Sequence, residues 1–353
     1  MRASKINLQF FRNHKSLELD FPRDQNVIVL KGENGAGKSS VLEAFYYISF
    51  IKSFRSRHIE DLIFWDNDYF RIELDIESKT AKKLEAFYGK WPYNKKVLKL
   101  DEMEKQGSDF VGCLKSVIFA PRDILMLTDE PGLRRAYLNR LLLQSEPNFI
   151  RLFSKYQKAL KHRNTLLKEK RDVNPAELEI WDEELAKYGS KIIELREEVV
   201  DFLARHISAH YQEISGSSEN LLIEYKHNSS NKQTGFREKL KKSFNKDKQY
   251  QITHTGPQRD DLTFFLDKKP LKSGASQGEL RSVLLALKLS EAAYIEEKTG
   301  EIPILLFDDV FSELDNKRQV HLIKNLQKYQ VLISAAEEHC LKEAGREVHV
   351  INL

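Results

Sequence analysis

Apolar and polar positions change their rhythm several times along this chain of 353 residues. An apolar run at residues 27–30 reads as a strand, and residues 39–50 after it have helical spacing. Beyond a short basic segment, residues 69–77, 83–88, 97–103 and 117–119 alternate with period two. Gly, Pro and Asn lie between these runs, which predicts an antiparallel sheet. After residues 121–123 the pattern becomes helical and densely charged, at 133–144, 148–170 and 175–213. The break at Asn174-Pro175 predicts two moderate helices, a few tens of ångströms long at about 1.5 Å per residue. Small residues at 215–218 close that stretch. Residues 221–225 then read as a strand returning toward the core, and the helical segment closes near Lys248. A helix spans 283–289, and 302–307 is an apolar strand broken only by Pro303. The expected fold class is α/β: a head from 1–123 and 249–353, carrying an antiparallel β subdomain, with 124–248 inserted as a mainly helical lobe.

Composition narrows this picture little. Basic residues number 57 and acidic residues 53, for a formal net charge of +4. That balance permits a nucleic-acid partner without arguing for one, so any contact with phosphates must come from local clusters. Three exist: Lys52, Arg55, Arg57 and His58; Lys155 to Arg171; and Arg237 to Lys248. Acidic residues interleave in the two longer clusters, as on a solvated helix face. Cys113 and Cys340 are too few for a disulfide framework or a cysteine zinc site, which fits a reducing cytoplasm. No run approaches the 18 or so apolar residues of a membrane helix, and no membrane partner is expected.

Specific chemistry enters at residues 32–39, Gly-Glu-Asn-Gly-Ala-Gly-Lys-Ser, set between the first strand and the first helix. This is a complete phosphate loop. Gly32, Gly35 and Gly37, with Asn34 and Ala36 between, let backbone N–H groups wrap phosphates. Lys38 reaches the β- and γ-phosphates of ATP, and Ser39, with Ser40 beside it, can ligate Mg2+. Such a loop needs a carboxylate strand elsewhere. Asp308-Asp309 ends the run at 302–307, where Asp308 suits Mg2+ and Asp309 could orient or deprotonate an attacking water. Ser276-Gln277-Gly278 stands at a helix start, as an N-cap or as a second place for a γ-phosphate.

The order of phosphate loop, Ser-Gln-Gly helix, Asp-Asp strand and Phe311-Ser312-Glu313-Leu314-Asp315 resembles the ATP-binding-cassette heads of chromosome-maintenance and DNA-repair ATPases. Within that group the chain is similar to the RecF family of bacterial recombination repair. The likeness rests on residues 6–8, Phe11-Arg12-Asn13-His14, Lys52-Ser53-Phe54-Arg55, Phe119-Ala120-Pro121-Arg122-Asp123 and Gly256-Pro257-Gln258-Arg259-Asp260-Asp261-Leu262. It implies a weak ATPase that dimerises on ATP, with Ser276 of a second subunit completing the site. It also implies action on DNA at gaps or single-strand/double-strand junctions, recombinase loading, the partners RecR and RecO, and DNA contact near Lys52, Arg55 and Arg57. Three positions depart from the family pattern: Gln258 for His, Glu279 for Gln, and Ala336 for a polar sensor.

Two other functions share parts of this signature. A transporter ATPase subunit would have about half the 238 residues that separate Lys38 from Ser276 here. A nuclease with a similar head would need a catalytic domain after the Asp-Asp strand, where only residues 331–353 follow its helix.

Overall fold

The computed structural model describes residues 1–79, 81–90, 94–169, 173–309, 316–335 and 348–353. Arg171, Cys340, Ala336 and the segment Phe311-Ser312-Glu313-Leu314-Asp315 lie outside the described residues. The chain forms two compact units. One comprises Met1–Ile124, Ala209–Ser218 and Ser276–Leu353, the other Leu125–Ser208 and Glu219–Ala275. The expected return to the head at 249 falls within the second of these.

The first unit contains two sheets. Strands β1 (Arg2–Phe11) and β2 (His14–Asp20) precede β3 (Val27–Lys31), which leads into helix α1 (Lys38–Phe50). Next come β4 (Tyr69–Glu77), β5 (Lys83–Gly89), β6 (Lys95–Leu100), β7 (Met103–Glu104) and β8 (Ser116–Phe119). The antiparallel sheet has the order β2-β1-β4-β5-β6-β7. Alternation explains it: in β4, Phe70, Ile72, Leu74 and Ile76 are buried between partly exposed neighbours, and Ile72 and Leu74 pair with Leu8 and Ile6 of β1. The run at 97–103 is divided between β6 and β7 by a tight turn, with Asp101 and Glu102 both at positive φ. Strands β1 and β2 lie outside the alternating runs identified from sequence.

The run at 117–119 was expected in this antiparallel sheet, and the structure corrects that. β8 joins a five-stranded parallel sheet with β12 (Ile304–Asp308), β13 (Val331–Ala335) and β14 (His349–Asn352), in the order β14-β3-β13-β12-β8. All four residues of β8 are buried, as a strand covered on both faces of a parallel sheet requires. Helix α1 touches β8, β12 and β13 of this sheet and β5 of the other. Nearly every residue of α1 is buried, so it is apolar around most of its circumference rather than along one stripe. Val41, Phe45 and Ile48 share one core with Ile72, Leu74, Ile118, Leu306 and Leu332.

The second unit contains α2 (Pro131–Ser145), α3 (Phe149–Glu169) and most of α4 (Pro175–Ser215), followed by α5 (Gln233–Tyr250). Its small antiparallel sheet joins β9 (Leu221–Lys226), β10 (Asp261–Leu266) and β11 (Lys269–Pro270). The strand at 221–225 therefore pairs with β10 inside this unit instead of returning to the head. Helices α3 and α4 are the two expected on either side of Asn174-Pro175, and α4 is the longer, its 41 residues extending roughly 60 Å at 1.5 Å per residue. Pro175 opens it, with the Asn174 carboxamide accepting the Ala176 N–H at 3.0 Å; a proline is tolerated at that first position. Gly189 does not break the helix. A Cβ there would lie 2.6 Å from the Phe236 ring, so the glycine lets α5 approach closely.

Buried ion pairs organise this second core. Arg163, fully buried, donates to Asp182 at 2.6 Å and to Asp247 at 2.7 Å. Arg196 donates to Asp260 at 3.1 Å and to the Pro257 carbonyl at 2.8 Å. Arg134 grips Asp261 with two hydrogen bonds of 2.6 and 3.0 Å. The motif at 256–262 is thus fixed by the interior of its own unit. Gln258, at the position expected to be His, accepts a hydrogen bond from the Tyr156 hydroxyl and donates to the Thr255 carbonyl at 2.9 Å.

Candidate nucleotide site

Because β3, β13 and β12 run parallel and side by side, their C-terminal ends form one edge, with Leu30, Ser334 and Asp308 in a single register row. That edge is where open α/β sheets receive ligands. The loop leaving β3 contains Gly35 at φ 92° and Gly37 at φ 102°, conformations that suit glycine. A Cβ on Gly37 would stand 2.1 Å from the His14 ring, so no other residue fits at the start of α1. Lys38 is buried, and its ammonium donates to the carbonyls of Gly32 at 2.7 Å and Glu33 at 2.9 Å. Among the described residues no carboxylate pairs with it. A cation held this way, beside the N-terminus of a 13-residue helix, is arranged to receive an anion.

These residues border a cleft of about 680 Å³, whose lining includes Asn34, Gly35, Gly37, Lys38, Ser39, Ser40 and Asp309. At its acidic end Ser334 of β13 donates its hydroxyl to Asp308 at 3.1 Å and accepts the Asp309 N–H at 2.9 Å. Asp308 is buried, while Asp309 adopts φ 53° and faces solvent. The donor set fits Mg2+: a hydroxyl from Ser39 and a carboxylate from Asp308, with phosphates and water left to supply the rest. No cluster of three or more His, Cys, Asp or Glu able to hold a metal by itself occurs among the described residues.

Arg12, Asn13, His14 and Glu43 support the site although the sequence assigned them no role in it. Arg12 clasps the fully buried carboxylate of Glu43 through two hydrogen bonds, 2.8 and 2.6 Å. Ser53 also donates to Glu43, and Arg55 approaches it at 3.6 Å. Asn13 donates to the Gly35 carbonyl at 2.8 Å and accepts from Ser40 at 2.9 Å. The His14 ring nitrogen lies 3.2 Å from the Gly37 carbonyl. Burial lowers the pKa of His14, and the Gly37 hydrogen bond opposes that shift. Residues 11–14 carried the family resemblance, but only the hairpin between β1 and β2 shows that they brace the loop. Ser334 could have been noticed as the single hydroxyl in the otherwise apolar β13.

Of the remaining candidates, only Arg55 borders the cleft. Ser276 caps helix α6 (Gln277–Thr299) in a capping box: its hydroxyl accepts from Glu279 N at 3.3 Å, and the Glu279 carboxylate accepts from Ser276 N at 2.6 Å. Hydrogen bonding by the Ser276 side chain, and next by its backbone N–H, holds the Glu279 carboxyl below the usual range. The departure from Gln thus has a local structural role. Ser276 and Gln277 are exposed, Gly278 is partly so, and none of the three lines the cleft. Lys52, Arg55 and Arg57 are exposed as well, but Arg55 alone of them lines the cleft.

The AAA domain family matches residues 5–206. The DNA replication and repair protein RecF of Bacillus thuringiensis (strain Al Hakam) is 36% identical, covering 100% of this chain and 97% of the relative. RecF of Bacillus cereus (strain B4264) aligns with the same identity and coverage. Among solved structures, the recombination mediator protein RecF-ATPrS in the RecFOR pathway superposes with a TM-score of 0.88 at 32% identity, over 96% of this chain and 93% of the other. The corresponding RecF-ATP structure gives 0.87 at 33% identity, over 96% and 92%. An Smc head bound to the C-winged helix domain of ScpA shares the fold at 13% identity, with a TM-score of 0.59 over 100% and 94%. With its phosphate loop and Asp-Asp strand on one parallel-sheet edge and full-length likeness to these repair proteins, the chain belongs to the RecF family, on an ATP-binding-cassette head.

Proposed function

We propose that this protein is an ATP-controlled DNA-binding protein of recombinational repair, in which nucleotide occupancy governs the pairing of two subunits. One observation supports it above the others. The loop and Asp309 line one cleft, with the buried Asp308 next to Asp309 in the chain, while Ser276 and Gln277 are exposed outside it, so a second copy must supply them if they are to touch the nucleotide. In this reading Lys38 and the backbone of residues 32–39 hold the triphosphate, and Ser39 and Asp308 hold Mg2+. When bound, the metal neutralises charge on the β- and γ-phosphates. Asp309 orients water or accepts its proton as the oxygen forms a bond to the γ-phosphorus and the bond to the ADP oxygen breaks. The exposed Ser276 hydroxyl and helix start of the partner face the γ-phosphate, in an isologous dimer. Hydrolysis then releases the pair, so ATP acts as a switch on assembly.

The solved relatives are recombination mediators of the RecFOR pathway, with ATPrS in one and ATP in the other, which supports action beside RecR and RecO. Gapped DNA or a single-strand/double-strand junction is the proposed substrate, with recombinase loading as the outcome. Lys52 and Arg57, exposed and outside the cleft, are the proposed phosphate contacts, with Arg55 bridging toward the nucleotide. Sedimentation of the protein with and without ATP, repeated with gapped DNA, tests this reading. The expected result is a dimer only with ATP, and co-sedimentation of that dimer with gapped DNA. A monomer under every condition refutes it.

A further inference from the structure

The cleft has a second wall that the phosphate chemistry leaves unused. Opposed in character to the glycine-rich loop, it includes Ile63, Phe64, Trp65, Asn67 and Lys90. Trp65 is 85% exposed, the most of any large hydrophobic side chain among the described residues. A lone exposed aromatic on a convex surface would need no explanation. This one stands in a concave site and its backbone is fixed from both sides. The Phe64 N–H donates to the Phe10 carbonyl at 2.7 Å, Ile63 forms a bridge to Phe11, and the Asn67 N–H returns to the Phe64 carbonyl at 3.2 Å. Asn67 also donates its carboxamide to the Trp65 carbonyl at 2.9 Å, and Asp66 turns the chain at φ 58°. The exposure of the indole is therefore set by a constrained turn.

A ligand that occupies both walls must be anionic at the loop and flat and apolar at Trp65. A nucleoside polyphosphate has both properties. We propose that Trp65 is the base platform of this site, stacking its indole on the nucleobase while the loop holds the phosphates. The proposal rests on the nucleotide reading above and extends it to the base. Every base has a π-face, so Trp65 contributes affinity and does not choose between purines.

Titration calorimetry of the full chain tests it, using ATP with Mg2+ and, separately, inorganic tripolyphosphate with Mg2+. Trp65→Ala is expected to weaken ATP about tenfold, as loss of one base-aromatic stack does, and to leave tripolyphosphate within about twofold of the parent. Trp65→Phe should restore most of the ATP affinity. Lys38→Ala should lose both ligands. Unchanged ATP affinity in Trp65→Ala overturns the proposal and assigns the exposed indole to another partner. Equal losses for ATP and tripolyphosphate overturn it too, because the turn would then be supporting the loop. Failure of the parent protein to bind either ligand refutes the nucleotide reading itself.

Discussion

Glu43 is the buried charge on which the cleft wall depends. Its side chain has 0% exposure, whereas Arg12 and Arg55 around it have 20% and 47%. Glu43→Gln preserves volume and one acceptor but removes the charge that two guanidinium groups share. Breaking a fully buried pair costs about 3–5 kcal/mol, and losing one charge-assisted hydrogen bond about 1.5–3 kcal/mol. Arg12 can regain water through its exposed fifth, and the longer contact to the half-exposed Arg55 adds little. The expected loss is therefore about 2–3 kcal/mol, a large share of a typical stability of about 5–15 kcal/mol. Guanidinium unfolding of the full chain should show a lower midpoint with an unchanged slope. Arg12→Gln alone and combined with Glu43→Gln completes a double-mutant cycle, in which contacting residues should couple by about 1 kcal/mol or more. A loss below about 0.5 kcal/mol for Glu43→Gln, or strict additivity in the cycle, would show that the clasp does not support the unit.

Three further outcomes follow from the site. Asp309→Asn should keep ATP, because asparagine tolerates the left-handed backbone at this position, yet slow hydrolysis by about a hundredfold or more through loss of the carboxylate; single-turnover release of phosphate measures it, and parental turnover would make Asp309 a backbone element only. Ser276→Arg should bind ATP as the parent does and fail to dimerise, since Ser276 lies outside its own subunit's cleft; mixing with Lys38→Ala restores one intact composite site, so returning activity supports the shared site and normal dimerisation of Ser276→Arg alone refutes it. His14, lowered by burial from its ordinary value of 6.5, contributes stability that is present above that value and lost as pH falls through the lower folded pKa. His14→Gln should flatten the fall in unfolding midpoint below pH 6.5, and an unaltered pH profile removes the histidine as its source.

Short-range chemistry was the legible part of this fold. Residues 32–39 carry glycines at fixed spacing before a lysine, a pattern that requires nothing from elsewhere in the chain. The alternation in 69–77 likewise sufficed to define β4, because its buried face follows from the residues themselves. Residues 117–119 were misplaced for the complementary reason. Three apolar positions contain no evidence of which sheet covers them, and β8 is decided by β12, a strand far along the chain. Residues 221–225 were legible as a strand, β9, but their partner β10 was not. In the site, Lys38 and Asp308 could be named from their motifs. Glu43 could not, for a glutamate inside a helix looks like a solvated position until Arg12 reaches it from a hairpin.

Parallel register is what converts these separated segments into one site. Ser334 pairs with Asp308 on one side and with Leu30, two residues before the loop, on the other. A slip of one residue between β12 and β13 would displace the Asp308 carboxylate by about 3.3 Å along the strand and turn it to the opposite face. Both strands are buried, so alternation of polar and apolar positions cannot define their register as it does in β4. The polar contacts at the sheet edge supply what the apolar interior lacks: Ser334 donates to Asp308 and accepts from the Asp309 backbone, and only the observed register brings these atoms together. Ser334 is thereby a positioning residue for the acidic pair, and its strand lies between β12, which ends in the metal-binding candidate, and β3, which leads into the phosphate loop.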